Sequence, residues 1–419
     1  MRLDNAAKIY PAARSRNWSN AFRLSVSLTE VVDTDVLRTA LDVTARRFPG
    51  MAVRLGTGAF WYYLEELSVL PDIGEDYSYP LKCMQGRDIH TCAFRVLVYR
   101  ERIALEIFHA ITDGNGGLIF LKSLVAEYIK QKYGVDAPAT DGVLDRREPP
   151  TDAELEDCFL KYSGEKAMSR KEETAYLLRG TPEKDGFINT TVFSLSASAV
   201  HSRAKAEGVS VTAYLTAVLM DAIQRIQAER VPRRNRRKPI KVLLPVNLRN
   251  LFPSGSLRNF VLFVTPGVDP RMGDYTFSEL CKSVHHQMGT EITPQRMAAR
   301  ITTNVNSEKL RIVRVMPLFI KNLVMKLIYN AVGERKCCLT FSNLGRVALP
   351  EALAPFARQM DFVLSPPHLT HHNVSAISYG DLLRITFVRN VEESVLEATF
   401  YQVLREQGLA AKVESNLKK

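Results

Sequence analysis

The chain has 419 residues, long enough to expect more than one core, and its hydrophobic fraction of 46% and charged fraction of 24% are those of an ordinary globular protein. No run approaches the ~18 consecutive apolar residues of a membrane span, and the start is polar rather than a secretion signal, so a cytoplasmic protein is expected. The net charge of +11 admits nucleic acid, an anionic membrane surface or a phosphorylated small ligand, but no zinc finger, RNA-binding aromatic strand pair or helix-turn-helix pattern accompanies it, so nucleic acid is not expected. The six cysteines are scattered and none forms a CxxC pair, which argues for reduced, mostly buried thiols and against zinc or a disulfide framework.

Residues 22–28 alternate apolar and polar, as a half-buried strand does. Asp33 or Thr34 caps a helix over 35–48, which Pro49-Gly50 ends. Residues 52–55 and 60–64 form a hairpin around Gly56-Thr57-Gly58, and a loop rich in Pro, Asp and Tyr covers 70–82. A strand pair over 94–99 and 102–108 ends at His109; Asn115-Gly116-Gly117 reads as a turn, and a helix follows over 118–130. Residues 135–187 are polar, a linker and crossover between two halves with some helix inside it.

The second half begins with a strand at 190–195 and a helix at 198–207, followed by a longer helix at 213–226 capped by Ser210 or Thr212. A basic run, Arg233, Arg234, Arg236, Arg237 and Lys238, leads to strands at 240–246 and 260–265. Amphipathic helices follow at 277–288 and 316–329. A strand at 338–341 ends in Ser342-Asn343-Leu344-Gly345, and strands at 362–364, 373–379 and 382–388 precede a closing helix at 394–407. Each half offers strand, helix, more strands and helix, which predicts two similar α/β layers, residues 1–180 and 181–419, meeting at a cleft.

His109 stands where a strand gives way to a loop, with Asp113 four residues on and Gly114 after it. The spacing alone arises by chance in many proteins. Two further segments accompany it in order: Pro245-Val246-Asn247-Leu248-Arg249 with Leu257-Arg258-Asn259-Phe260, and Ser342-Asn343-Leu344-Gly345. Over about residues 5–405 the chain thereby resembles the CoA-dependent acyltransferase superfamily of chloramphenicol acetyltransferase, HxxxD acyltransferases and peptide-synthetase condensation domains, and most of all the bacterial alcohol acetyltransferase-like branch. That branch opens its motif on two histidines; here Phe108 replaces the first, which the plant branch also lacks, and the second is the base.

The resemblance implies two chloramphenicol-acetyltransferase-like α/β sandwich subdomains with an active-site tunnel between them. It implies His109 as general base, Phe108 as a wall, and Asp113 turned away from substrate to pair with an arginine, for which Arg249 and Arg258 are the candidates. Gly114 would allow close approach of backbone or substrate. An imidazole near neutral pKa suits removal of a hydroxyl proton, and the absence of a Gly-x-Ser-x-Gly elbow fits direct transfer without a covalent acyl-enzyme. Ser342, Asn343, or backbone amides near Gly114 or Gly345 could stabilise an oxyanion, while Asn343 is equally suited to bracing its own turn. The run of Arg233, Arg234, Arg236, Arg237 and Lys238 is either a seat for the phosphates of CoA or a solvated loop. Tyr10, Trp18, Phe22, Trp61 and Tyr379 are expected in the core, and His371-His372 in a loop at the tunnel mouth, with no bound metal.

The expected activity is transfer of an acetyl or short acyl group from acetyl-CoA or another acyl-CoA, as co-substrate, to the hydroxyl of a small-molecule acceptor, with no permanently bound cofactor. The alternatives are a condensation-type N-acyltransferase fed by a carrier protein, and a non-catalytic binding protein on the same fold. Peripheral contact with a membrane stays open, as does the oligomeric state.

Overall fold

The first part of the chain carries α1 (Ile9–Ala13), β1 (Ala21–Leu28), α2 (Thr34–Arg47), the hairpin β2 (Val53–Thr57) and β3 (Tyr62–Glu66), β4 (Gly74–Glu75), α3 (Gly86–Thr91), β5 (Phe94–Tyr99), β6 (Arg102–Phe108) and α4 (Gly114–Tyr133). The second carries α5 (Cys158–Lys161), β7 (Asn189–Ser196), α6 (Ala197–Ala206), α7 (Val211–Arg230), β8 (Ile240–Asn247), β9 (Val261–Val264), β10 (Gly267–Val268), α8 (Phe277–Glu291), α9 (Pro294–Lys309) and α10 (Leu318–Ile328). It continues with β11 (Leu339–Val347), β12 (Ala357–Leu364), β13 (His372–Tyr379), β14 (Leu382–Arg389), α11 (Val395–Glu406) and β15 (Lys412–Ser415). The computed structural model describes all residues except 15–17, 78, 169–172, 311–314, 329–333, 367–369 and 418–419.

Two sheets organise the molecule. One has five strands in the order β12-β1-β6-β5-β4; the other has the order β10-β8-β11-β13-β14-β7-β15, with β9 added beside β8. Each sheet has its own apolar core. The lobes are nonetheless interleaved: β11 and β13 lie in the second sheet, while β12 between them crosses to pair antiparallel with β1 in the first. The fold is thus the two-layered α/β arrangement read from the sequence, with one strand exchanged between layers.

β1 departs from expectation in an instructive way. Its alternation was read as half-buried, yet nearly every residue is buried. Phe22, Leu24 and Val26 enter the apolar core, while Arg23 on the other face meets Asp76 at 2.7 Å and Glu106 at 3.2 Å, both almost inaccessible to water. Alternation here separates an apolar buried face from an ion-paired buried face. Arg95 joins the same cluster through Glu106 at 2.7 Å.

The start of α4 is a second correction. Asn115-Gly116-Gly117, read as a turn, is the first turn of the helix, which Asp113 caps by accepting from the amides of Asn115 and Gly116, each at 3.1 Å. The glycines serve close packing. A Cβ on Gly116 would stand 2.2 Å from the Leu257 carbonyl oxygen and from Thr112 Oγ1, and one on Gly117 would stand 2.8 Å from Ile107 Cδ1. The strand predicted to end at Phe341 likewise runs on to Val347 through an irregularity between Asn343 and Arg346, where Gly345 takes a φ of +73°.

The stretch read as a linker holds only short helical turns and α5 among its described residues. His372 is not in a loop, whereas His371 stands in the loop just before β13. His372 opens β13 and is buried, which pushes its imidazole down to about 4, and His371 Nδ1 lies 2.8 Å from Asn390 Oδ1. Among the described residues there is no cluster of metal-ligating side chains, and no single helix is long and apolar enough to cross a membrane. None of the six cysteines is in a disulfide, and five of them are buried.

Candidate active site

β6 delivers His109 to the seam between the lobes. Its amide donates to the Asn20 carbonyl at 2.9 Å, just before β1, so two adjacent strands hold the backbone there. Tyr10 of α1 stacks on the imidazole, centroids 4.7 Å apart and planes inclined by 23°, and Phe22 of β1 meets it edge-on at 5.0 Å. Tyr10 and Phe22, expected in the core, therefore also enclose the imidazole. Phe108 is fully buried in the first core, Trp61 lies beneath the Lys321 ammonium at 3.4 Å, Trp18 Nε1 donates to Ser365 Oγ at 3.2 Å, and the Tyr379 hydroxyl lies 3.5 Å from the Ala354 carbonyl oxygen.

The second lobe supplies the residue that orients the ring. Asn259 Oδ1 lies 3.0 Å from His109 Nδ1, while Asn259 Nδ2 donates to the His109 carbonyl oxygen at 3.0 Å and to Asp4 Oδ2 at 3.2 Å. A carbonyl oxygen only accepts, so the amide orientation follows, and Oδ1 must receive a proton from Nδ1. His109 Nε2 is then the nitrogen with the free lone pair. Burial holds the imidazole below its ordinary pKa, against the opposing pull of its own carbonyl, the Asp113 charge and Asn259, which favours the neutral ring.

Asp4 extends the chain of contacts. It is buried, also accepts from the amides of Ala7 at 2.7 Å and Asn259 at 3.3 Å, and its carboxyl is pushed up to about 6 by burial, with Arg258 pulling the other way. Neither Asp4 nor Asn259 was singled out from the sequence as a site residue. Asn259 stands within the segment Leu257-Arg258-Asn259-Phe260, where nothing local marks it as the partner of the imidazole; Asp4 gave no signal, since nothing local joins it to residues more than a hundred positions away.

Asp113 is saturated. Oδ1 accepts the two helix amides already named; Oδ2 accepts from Arg249 Nη1 at 2.7 Å and from the Phe260 amide at 2.9 Å. Of the two candidate arginines, Arg249 reaches it. It is held in turn by Asn247 Oδ1 and the Ser256 and Arg258 carbonyl oxygens. Arg258 does not reach it, bonding instead to the Arg2 and Leu155 carbonyl oxygens with Asp4 Oδ2 at 3.8 Å. Pairing explains why Arg249 arrives. β8 pairs with β11 through Val242 and Leu243 only, then parts from it and pairs with β9, directing Asn247–Arg249 at the Asp113 loop.

Gly114 faces β11: a Cβ there would stand 3.0 Å from Leu344 Cδ2, so the irregularity of β11 rests on the start of α4. Asn343 has both polar ends engaged, accepting from the Gly345 amide at 2.8 Å and donating to Thr212 Oγ1 at 3.1 Å. That is the bracing geometry. Ser342 stands within β11, opposite Ser375. The basic run is not beside His109; it precedes β8, at the other end of that eight-residue strand, roughly 20 Å from Arg249. Arg234 and Arg237 pair with Asp274 at 2.7 and 2.8 Å, while Arg233, Arg236 and Lys238 are exposed.

No family model matches the sequence, and no curated protein does. Solved structures match over nearly the whole chain. F. graminearum TRI101 complexed with ethyl coenzyme A superposes with a TM-score of 0.64 at 12% identity, covering 98% of this chain and 99% of that one. Polyketide synthase associated protein 5 from Mycobacterium tuberculosis gives 0.63 at 15% identity, covering 97% of each. The starter condensation domain of rhizomide synthetase, in complex with C8-CoA and Leu-SNAC, gives 0.60 at 11% identity, covering 97% of this chain and 93% of that one. The chain has the two-lobed fold shared by CoA-dependent acyltransferases and condensation domains.

Proposed function

We propose that the protein is a CoA-dependent O-acyltransferase that moves an acetyl or short acyl group from acyl-CoA to the hydroxyl of a small acceptor. The observation that carries this reading is the Asn259–His109 contact, which leaves Nε2 as the basic nitrogen of a neutral imidazole. Nε2 takes the acceptor's hydroxyl proton as its oxygen forms a bond to the thioester carbonyl carbon. The tetrahedral intermediate collapses by breaking the carbon–sulfur bond, and the imidazolium returns the proton to the departing thiolate, giving ester and free CoA thiol. Proton transfer of this kind contributes about 10²–10⁴-fold.

Asp113 has no part in the proton path, since its lone pairs are committed to the α4 amides, Arg249 and Phe260. Ser342 is the side chain left for the oxyanion, Asn343 being engaged elsewhere. The exposed Arg233, Arg236 and Lys238 are the proposed seat of the CoA phosphates. Ethyl-CoA and C8-CoA in the complexes of two structural neighbours support acyl-CoA as the donor. The condensation-domain neighbours keep a carrier-protein donor as the second reading.

Purified protein given acetyl-CoA and a panel of alcohols is expected to release free thiol in step with ester. Turnover with acyl-carrier protein and none with any CoA thioester would replace the first reading by the second. Asn259→Ala is expected to lower kcat about tenfold, because the ring loses a hydrogen bond of about 1–1.5 kcal/mol that holds its tautomer. KM for the acyl donor should stay unchanged and the acid limb of the pH profile should move. A lower melting temperature with kcat and pH profile intact would make Asn259 a purely structural residue.

A further inference from the structure

Helix α10 is mounted inside out. It is fixed to the β2–β3 hairpin through polar groups: the Leu318 amide donates to the Ala59 carbonyl oxygen at 2.9 Å, Lys321 Nζ to that of Phe60 at 2.7 Å, and Asn322 Nδ2 to the Tyr62 hydroxyl at 2.8 Å. Lys321 is buried over the Trp61 ring. The outward face is apolar. Phe319, Leu323 and Leu327, one helical turn apart, are 74%, 63% and 62% exposed, flanked by exposed Ile320 and Val324. Val315 before the helix and Phe60 on the hairpin extend the stripe. Five large apolar side chains on one face, with a lysine packed beneath, are not the arrangement of a helix that meets only water.

Charge selects the occupant. Residues 309–328 contain five Lys or Arg and no Asp or Glu, close to half of the chain's net +11. Lys309 is exposed and Lys326 flanks the stripe. A second copy of the chain would bring two such positive segments together, whereas an apolar phase with a negative surface satisfies both features. We infer that α10 docks on an anionic lipid surface, with Phe319, Leu323 and Leu327 entering the acyl boundary and Lys326 and Lys309 meeting headgroups. α10 packs on α1, whose Tyr10 stacks on His109, so the docked face adjoins the element that covers the imidazole. The inference does not rest on acyl transfer.

Flotation of the full chain with vesicles is the test. With phosphatidylcholine–phosphatidylglycerol vesicles the protein should float, and with phosphatidylcholine alone it should stay largely unbound; high salt should release it. The double variant Leu323→Glu/Leu327→Glu should bind about tenfold more weakly. Lys326→Glu, a single change on the flank of the helix, should weaken binding in the same direction, so a poorly folded double variant does not decide the matter. Three results would overturn the inference: no flotation with anionic vesicles, binding indifferent to lipid charge and salt, or lipid-free protein sedimenting as a dimer that the double variant makes monomeric.

Discussion

His109→Ala is expected to lower kcat by about 10²–10⁴-fold in the folded protein. The ring is enclosed by Tyr10 and Phe22 and tied through Nδ1 to Asn259, so its removal takes away the base and one side-chain hydrogen bond while the backbone contact to Asn20 remains. The wild-type pH profile carries a second signature. The active form is the neutral imidazole, and burial lowers its pKa from the ordinary 6.5, so activity should persist through neutrality and fall only as pH drops through that lowered value. Asp4, at about 6, also titrates on the acid side, and Asp4→Asn removes its contribution while leaving the imidazole. Full activity in His109→Ala would end the general-base mechanism.

Arg249→Met is expected to destabilise the fold by about 3–5 kcal/mol, because it strands a fully buried carboxylate. Asp113 would keep its helix-capping amides and Phe260 but lose the counter-charge bonded to it. Asp113→Asn should cost a similar amount for a different reason: one end of the amide must now present N–H groups either to Arg249 and the Phe260 amide or to the Asn115 and Gly116 amides, all of them donors. The two changes meet at one contact and should combine less than additively in urea unfolding. In the folded fraction of Asp113→Asn the acid limb of the pH profile should move to lower pH, because the charge that pulls the imidazole pKa up is gone, although Asp113 is outside the proton path. A loss under about 0.5 kcal/mol for both would remove Asp113 as the anchor of the loop.

Much of the scaffold was legible because its signals are local. Alternation marked β1, an apolar run marked β6, caps and breakers marked α2 and α7, and the strand end at His109 is written in seven consecutive residues. Misreadings came where one local signal served another purpose. Gly116 and Gly117 look like a turn because glycine disfavours helix, but they start α4 because Leu257 and Ile107 leave no room for a Cβ. Asn343-Leu344-Gly345 looks like the end of a strand because such residues make turns, but it is an irregularity within β11.

By itself, the sequence determined most of the longer strands and helices, the loop carrying His109 and Asp113, and, through the family resemblance, the choice between two arginines for its partner. Tertiary structure decided that choice, since only the parting of β8 from β11 aims Arg249 rather than Arg258 at Asp113. It alone brought Asn259 and Tyr10 to the imidazole and Asp4 to Asn259, and it alone turned the apolar face of α10 outward. The reason is physical. Propensity and periodicity act over a few residues, whereas a buried polar group must find its partner wherever the topology brings one, here across 150 residues from His109 to Asn259 and 255 from Asn259 to Asp4.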